Sequence, residues 1–129
     1  MQDQPNPSEV LAAVARFLKT DVAAATTGHT SFQARVAANA LEMMARQLDL
    51  TPASDAAELA GLHDLLGQDG DLATLNAELS RRILDRRMDL TTPGLVEHLW
   101  EITLAKLAVD QPTYAAYRAS LAARGPKAD

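Results

Sequence analysis

The sequence predicts an all-α fold, a compact bundle of about five or six helices around a hydrophobic central helix at about residues 30–49. In most of the chain, apolar residues recur every three or four positions, which is the period of an amphipathic helix. No segment alternates apolar and polar residues for the length of a strand, and capping residues separate the apolar runs. The 129 residues predict a single domain with loose ends at about 1–5 and 125–129.

A capping box predicts the start of the first helix. Asn6 is a good cap, Pro7 suits the first helical position, and Glu9 lies three residues after the cap. Gly28 predicts the end of this helix, since glycine adopts the left-handed conformation that closes many helices. The predicted apolar face consists of Val10, Leu11, Val14, Phe17, Leu18 and Val22.

The central helix starts at Thr30, with Gln33 completing a second box, and is expected to end near residues 49–52. Its apolar residues cover more than half of its circumference, which predicts that other helices enclose it. Thr51 and Pro52 then predict the cap and first position of a third helix. Small residues that would allow neighbouring helices to come close are Ala34, Ala37, Ala38, Ala40 and Ala45.

Turn and cap signals divide the rest of the chain. The turn at residues 67–70 ends the third helix, and Asp71 caps the fourth. Thr92 and Pro93 are expected to open a fifth helix, in which Trp100 is predicted to anchor the core. A short final helix follows Asp110-Gln111-Pro112.

The composition excludes several classes of function. The chain has no cysteine, which excludes disulfides and thiol nucleophiles. A formal net charge of −5 and 4% aromatic residues argue against nucleic-acid and anionic-lipid binding. The N-terminus lacks a signal-peptide pattern and no segment is apolar for the length of a membrane span, so we expect a cytoplasmic protein.

No arrangement of residues predicts catalysis, a metal or a cofactor. His98 and Glu101 lie three apart on one helix face, but the matching pair of a two-metal bundle is absent, which favours a solvated face. The serines lie in no nucleophile elbow, and the glycines form no phosphate-binding loop. These absences favour a protein that is not an enzyme over the alternative of a weak enzyme.

Two polar groups remain as candidate sites. On the central helix, Arg35, Asn39, Glu42 and Arg46 form a stripe that would either hold helices together through ion pairs or contact a ligand. On the fourth helix, a basic face would either be solvated and braced by carboxylates or receive a phosphate or acidic partner. The basic face consists of Arg81, Arg82, Arg86 and Arg87.

The segments FQARVAANAL at 32–41 and TLAKLAVDQPTY at 103–114 resemble a family of small bacterial proteins of unassigned function. The similarity spans nearly the whole chain. Members are commonly encoded beside an aminoglycoside-phosphotransferase-like kinase and an acyl-CoA dehydrogenase, which implies a partner in acyl-CoA metabolism. The resemblance also adds Lys106, Asp110 and Tyr114 as family-like positions without an assigned role.

These observations favour a non-catalytic accessory or regulatory subunit of a phosphotransferase-like kinase. The alternatives are a helical module that binds a small molecule or acyl-CoA, and a structural homodimer. An accessory subunit would dock through the basic face or through the end of the chain that carries Tyr114, Tyr117 and Leu121.

Overall fold

The computed structural model describes residues 4–125, and every regular element in that range is a helix. The all-α prediction is confirmed. The predicted loose ends fall largely on residues 1–3 and 126–129, which lie outside the described range. The described residues form five helices of ten residues or more, which are α1 at Pro7–Phe17, α2 at Gly28–Leu66, α3 at Leu72–Leu84, α4 at Leu95–Asp110 and α5 at Ala115–Arg124, and a single helical turn at Ala23–Ala25 precedes α2.

The start of α1 agrees with the sequence. The Asn6 side chain accepts a hydrogen bond from the backbone N–H of Glu9 at 2.9 Å, and the Glu9 carboxylate accepts one from the N–H of Asn6 at 2.8 Å. These two bonds complete the capping box, so the first free N–H groups of the helix are satisfied locally.

Beyond its last residue, α1 continues into a π turn at Leu18–Val22, in which the N–H of Ala23 donates to the carbonyl of Leu18. A π turn inserts one extra residue into a helix and is uncommon outside functional or strained segments. The carbonyl of Ala23 accepts a hydrogen bond from the Ser31 hydroxyl at 2.8 Å. This bond fixes the end of the first helical segment to the start of α2.

The described residues divide into two compact units, one ending at Thr51 and the other beginning at Pro52. This boundary falls inside α2, which continues through Pro52. The prediction of separate helices on either side of Pro52 is therefore wrong. Proline removes one N–H from the helix, but the alanine-rich residues after it favour helix strongly enough to continue it. Whether the two units fold as one domain stays a prediction.

The first unit has an interior of small side chains. Apolar residues on α2 that were expected to be enclosed are exposed instead, among them Phe32 at 61%. The prediction of an enclosed central helix is wrong for this segment, because the residues of 30–50 that are buried are Ala34, Ala38 and Ala45. The buried residues of this unit are Ser8, Ala15, Ala23, Ala34, Ala38 and Ala45.

The second unit has a conventional leucine core. Gly67, with φ of +64°, ends α2, and Asp71 caps α3 by accepting a hydrogen bond from the N–H of Thr74 at 2.7 Å, as the sequence predicts. The Asn76 amide donates to Glu58 at 2.7 Å, which ties α3 to α2. The core consists of Leu62, Leu66, Leu75, Leu79, Met88 and Leu95.

The beginning of α4 differs from the prediction. Thr92 and Pro93 lie in a turn, and the helix starts after Gly94, whose φ of +82° is accessible to glycine but strained for other residues. At the other side of α4, Glu101 accepts a hydrogen bond from Arg124 at 2.6 Å. That ion pair holds α5 against α4.

Candidate functional site

The polar stripe predicted on α2 lies in the first unit. Arg35 and Asn39 are exposed, whereas Glu42 and Arg46 are half-buried. Both carboxylate oxygens of Glu42 accept hydrogen bonds from the Lys19 ammonium at 2.7 Å. This ion pair joins the π turn to α2, and sequence reasoning missed it because the two residues are 23 positions apart. Ligand binding by Arg35 and Asn39 stays a prediction.

Large apolar side chains share the exposed side of α2 with Asn39. At 100° per residue, four of them fall within about 40° of one another, and Asn39 lies about 20° from that group. The buried alanines of the helix lie on roughly the opposite side. The candidate stripe therefore borders an exposed apolar surface. The four apolar residues are Phe32, Val36, Met43 and Leu50.

The basic face predicted on α3 is largely paired with carboxylates. Glu78 accepts hydrogen bonds from Arg82 at 2.6 Å and from Arg81 at 2.6 Å. The hydrogen bond from Arg82, followed by that from Arg81, lowers the pKa of the Glu78 carboxyl. Arg81 also reaches Asp85 at 3.3 Å. These contacts form a local ion-pair network along one helix face.

Arg82 additionally closes the C-terminal end of α2. Its guanidinium donates to the carbonyl of Leu66 at 3.2 Å and to the side-chain oxygen of Gln68 at 3.2 Å. The last carbonyls of a helix have no partner within that helix, so the guanidinium satisfies one of them. Arg82 therefore has a structural role in the second unit.

The other two arginines of the basic face lie just beyond α3. Arg87 pairs with Asp85 at 3.5 Å. Arg86 has a left-handed backbone with φ of +57°, and its exposed side chain has no ion-pair partner among residues 4–125. Phosphate binding by the cluster stays a prediction, and Arg86 would be its most available cation.

The family-like positions lie around the connection between α4 and α5. Lys106 and Asp110 are both exposed and lie one turn apart on α4. Tyr114 is exposed and precedes the first residue of α5. Within the described part of the chain, no hydrogen bond joins these three side chains. The three residues therefore lie close together in the sequence, around the α4–α5 connection, but no hydrogen bonds assemble them into a site.

His98 is buried, in contrast to the solvated face expected for it. Its side chain lies against Gly61 of α2, where an added Cβ would come within 2.7 Å of the His98 Nδ1. The Nε2 atom is buried and has no hydrogen-bond partner among the described residues. Glu101 pairs with Arg124 instead. A glycine inside a helix often marks close approach of another group, so Gly61 was the available signal for this contact.

Trp100 is 47% exposed, so its predicted role as a core anchor is wrong. Helix α4 is apolar on several sides, and its core-facing side instead carries Leu95, His98 and Leu99. Trp100 lies four residues after Val96, which is also exposed. Together these residues form an apolar strip on the second unit, which we call the α4 strip.

Comparison with known proteins identifies a family. A family model, DUF6285, a domain of unknown function, matches residues 24–114, which is more than half of the chain. No curated protein and no solved structure matches the sequence. Within residues 4–125, no helix combines the length and apolar character needed to cross a bilayer. In the same range, no three histidine or acidic side chains are grouped as metal ligands.

Proposed function

We propose that the chain, which belongs to the DUF6285 family, is a non-catalytic accessory protein that acts by docking on a partner protein. One observation carries this proposal. The largest apolar side chains of the chain, Phe17, Phe32 and Trp100, are between 47% and 61% exposed. Aromatic residues are enriched at protein interfaces and among the residues that contribute most to binding.

The α4 strip is the docking surface that we favour on the second unit. Trp100 supplies the anchor, and Val96 lies beside it at one helical turn. The leucine core beneath the strip supports it without needing the tryptophan, so the side chain remains available for a partner. An exposed tryptophan on a well-packed helix is a typical interface anchor.

The resemblance favours a phosphotransferase-like kinase of bacterial acyl-CoA metabolism as the partner, in the cytoplasm. A subunit without catalytic residues would alter the activity of that kinase by stabilising one of its conformations. The second unit carries more acidic than basic side chains. We therefore expect the kinase surface to present a basic rim around an apolar pocket.

Co-purification of the two proteins tests the proposal, together with kinase assays with and without this chain. We expect a complex, and we expect Trp100→Ala to weaken it by about 10-fold or more. Leu90→Ala is the matched control, because Leu90 is 81% exposed but lies outside the α4 strip. A fully active kinase that never associates with the chain would overturn the proposal.

A thermal-shift measurement on the isolated chain distinguishes this proposal from the alternative in which the chain itself binds acyl-CoA. Acyl-CoA added to the isolated chain would then raise its melting temperature, and the rise would follow the logarithm of ligand concentration once that concentration exceeds the dissociation constant. We expect no such shift for an accessory protein that binds only the kinase. A shift that survives Trp100→Ala would favour the small-molecule module.

A further inference from the structure

The exposed side of α2 in the first unit follows the repeat of a coiled-coil seam. Six positions recur with alternating spacings of four and three residues, which is the pattern that keeps one face of a helix against another helix. The seam is about 27 Å long at 1.5 Å per residue. We define the seam as Phe32, Val36, Asn39, Met43, Arg46 and Leu50.

A single copy of the chain leaves the apolar part of this seam open to solvent. Phe32, Val36, Met43 and Leu50 are all exposed. Among residues 4–51 the buried side chains are alanines and one serine, so the exposed large apolar side chains of the seam add little to folding in the isolated chain. A seam of this length on a pair of helices approaches the scale of about 800 Å² per subunit that stable interfaces bury.

We propose that two copies of the chain pair through this seam with their α2 helices antiparallel. In that register Phe32 lies opposite Leu50 of the partner subunit, and Asn39 lies opposite the partner's Met43. Val36 faces the aliphatic part of Arg46 of the partner subunit, whose charged end extends to the edge of the seam. A two-fold axis near residue 41 relates the copies.

The charges beside the seam favour a second copy and this orientation. The positions next to the seam on one side are Arg35, Glu42 and Asp49, one heptad apart. In the antiparallel register each Arg35 lies near Asp49 of the partner subunit. The dimer therefore contains two ion pairs, each between an arginine and an aspartate. The two Glu42 side chains approach each other near the axis, but each is already paired with Lys19 of its own chain.

A parallel arrangement does not share these advantages. It would place Arg46 beside its own copy in the seam, where like charges repel. It would also place Arg35 and Glu42 near the uncharged Ala40 and Gln47 of the other helix, so no ion pair forms. The antiparallel register is therefore the one that the sequence supports.

The first unit has almost no net charge to oppose self-association, since residues 1–51 contain four basic and five acidic side chains. Most of the overall charge of −5 arises from the remaining residues, so repulsion at the seam is small. The basic side chains are Arg16, Lys19, Arg35 and Arg46, and the acidic ones are Asp3, Glu9, Asp21, Glu42 and Asp49.

The mass of the full chain in solution, measured across a range of concentrations, tests the seam. We expect a dimer, and we expect Met43→Glu to raise the dissociation constant at least about 100-fold, because each dimer would bury two carboxylates. Met44→Glu is the matched control. Met44 is 51% exposed against 40% for Met43, but it lies about 100° away around the helix. A monomeric wild-type chain, or a Met43→Glu variant that still dimerises, would overturn the proposal.

Charge reversal tests the orientation and remains informative if Met43→Glu does not fold. Arg35→Glu alone and Asp49→Arg alone should each weaken the dimer by about 10-fold. The two variants mixed together should form a heterodimer, because one native Arg35–Asp49 ion pair and one pair of reversed polarity are then formed, whereas each variant alone places like charges at both contacts. Failure of the mixture to associate better than either variant alone would exclude the antiparallel register.

The dimer and the docking on a kinase can be tested independently. The seam belongs to the first unit, whereas the α4 strip belongs to the second. Loss of dimerisation in Met43→Glu with retained kinase binding would support both inferences independently. A wild-type monomer that still binds the kinase would remove only the dimer.

Discussion

The two units of the chain bury different kinds of side chain. The first packs two helices through alanines, with its phenylalanines outside, whereas the second encloses Leu62 and Leu75 completely. Alanine contacts let helices approach closely, but they remove little apolar area from water. Each Å² of apolar area that is removed stabilises the fold by about 25 cal/mol. Leucines in the second unit remove much more. We infer that the second unit supplies most of the stability of a single chain, and that the first depends on surfaces which a single copy leaves exposed.

The strongest test of this difference is a cavity in the second unit. Leu75→Ala should lower the free energy of unfolding by about 2–5 kcal/mol, because Leu75 is fully buried and the surrounding leucines cannot close the space. Chemical denaturation measures the change. Leu84→Ala on the same helix is the control, since Leu84 is 81% exposed, and its effect should stay within about 0.5 kcal/mol. Equal effects at the two positions would contradict the assigned core.

Helix positions were largely predictable from the sequence, because their signals are local. The box at Asn6 and the cap at Asp71 depend on residues three positions apart, and both hydrogen-bond patterns are present. Pro52 is the instructive failure. A proline after threonine is compatible with both a new helix and the continuation of an old one, and the sequence contains no local signal that separates them.

The arrangement of side chains was predictable only in part, because it depends on residues distant in sequence. The pairing of Lys19 with Glu42 follows from the close approach of the helices, and the contact of His98 with Gly61 follows from the packing of α4 on α2. Trp100 shows the reverse case. Its hydrophobicity predicted burial, but a helix that is apolar on several sides does not specify which side faces the core.

Overpacking tests the alanine interior of the first unit. Ala38 is fully buried, so Ala38→Leu should force the two helices apart and destabilise the chain by about 1–3 kcal/mol. Ala37→Leu is the matched control, because the neighbouring position is exposed and leucine is a good helix former. Chemical denaturation with far-UV circular dichroism measures both variants. If Ala38→Leu is tolerated as well as Ala37→Leu, the helices do not require small residues there.

Close approach in the second unit is tested at Gly61. Alanine is favoured over glycine inside a helix by about 1 kcal/mol, but its Cβ would lie 2.7 Å from the His98 ring. We expect the clash to prevail, with a net destabilisation of about 1 kcal/mol. The sign should reverse in a His98→Ala background, where the ring is gone and the helix preference remains. Thermal unfolding of the four proteins gives this cycle, and a Gly61→Ala change that stabilises the wild type would contradict the contact.

Acid should lower the stability of the second unit, although the contribution of each individual carboxyl is small. The N–H of Thr74, followed by its hydroxyl, donates to Asp71 and lowers the pKa of that carboxyl. Hydrogen bonds from the hydroxyl and then the N–H of Thr91 similarly lower the pKa of Asp89. A carboxyl whose pKa is lower in the folded chain stabilises it fully above its unfolded-state pKa of about 4. That stabilisation is lost as the pH falls through the lower pKa of the folded state.

Asp71→Asn separates the charge from the cap. Asparagine accepts the same hydrogen bond at a helix start but does not titrate in this range. We therefore expect Asp71→Asn to lose less stability than the wild type between about pH 4 and pH 2. Asp71→Ala should be less stable than the wild type at neutral pH as well, because it lacks the cap. Urea denaturation across this pH range measures the slope. An unchanged slope in Asp71→Asn would mean that acid acts on other carboxyls, and the N-terminal cap of α3 would then be stabilised by hydrogen bonding without a contribution from the ionised charge.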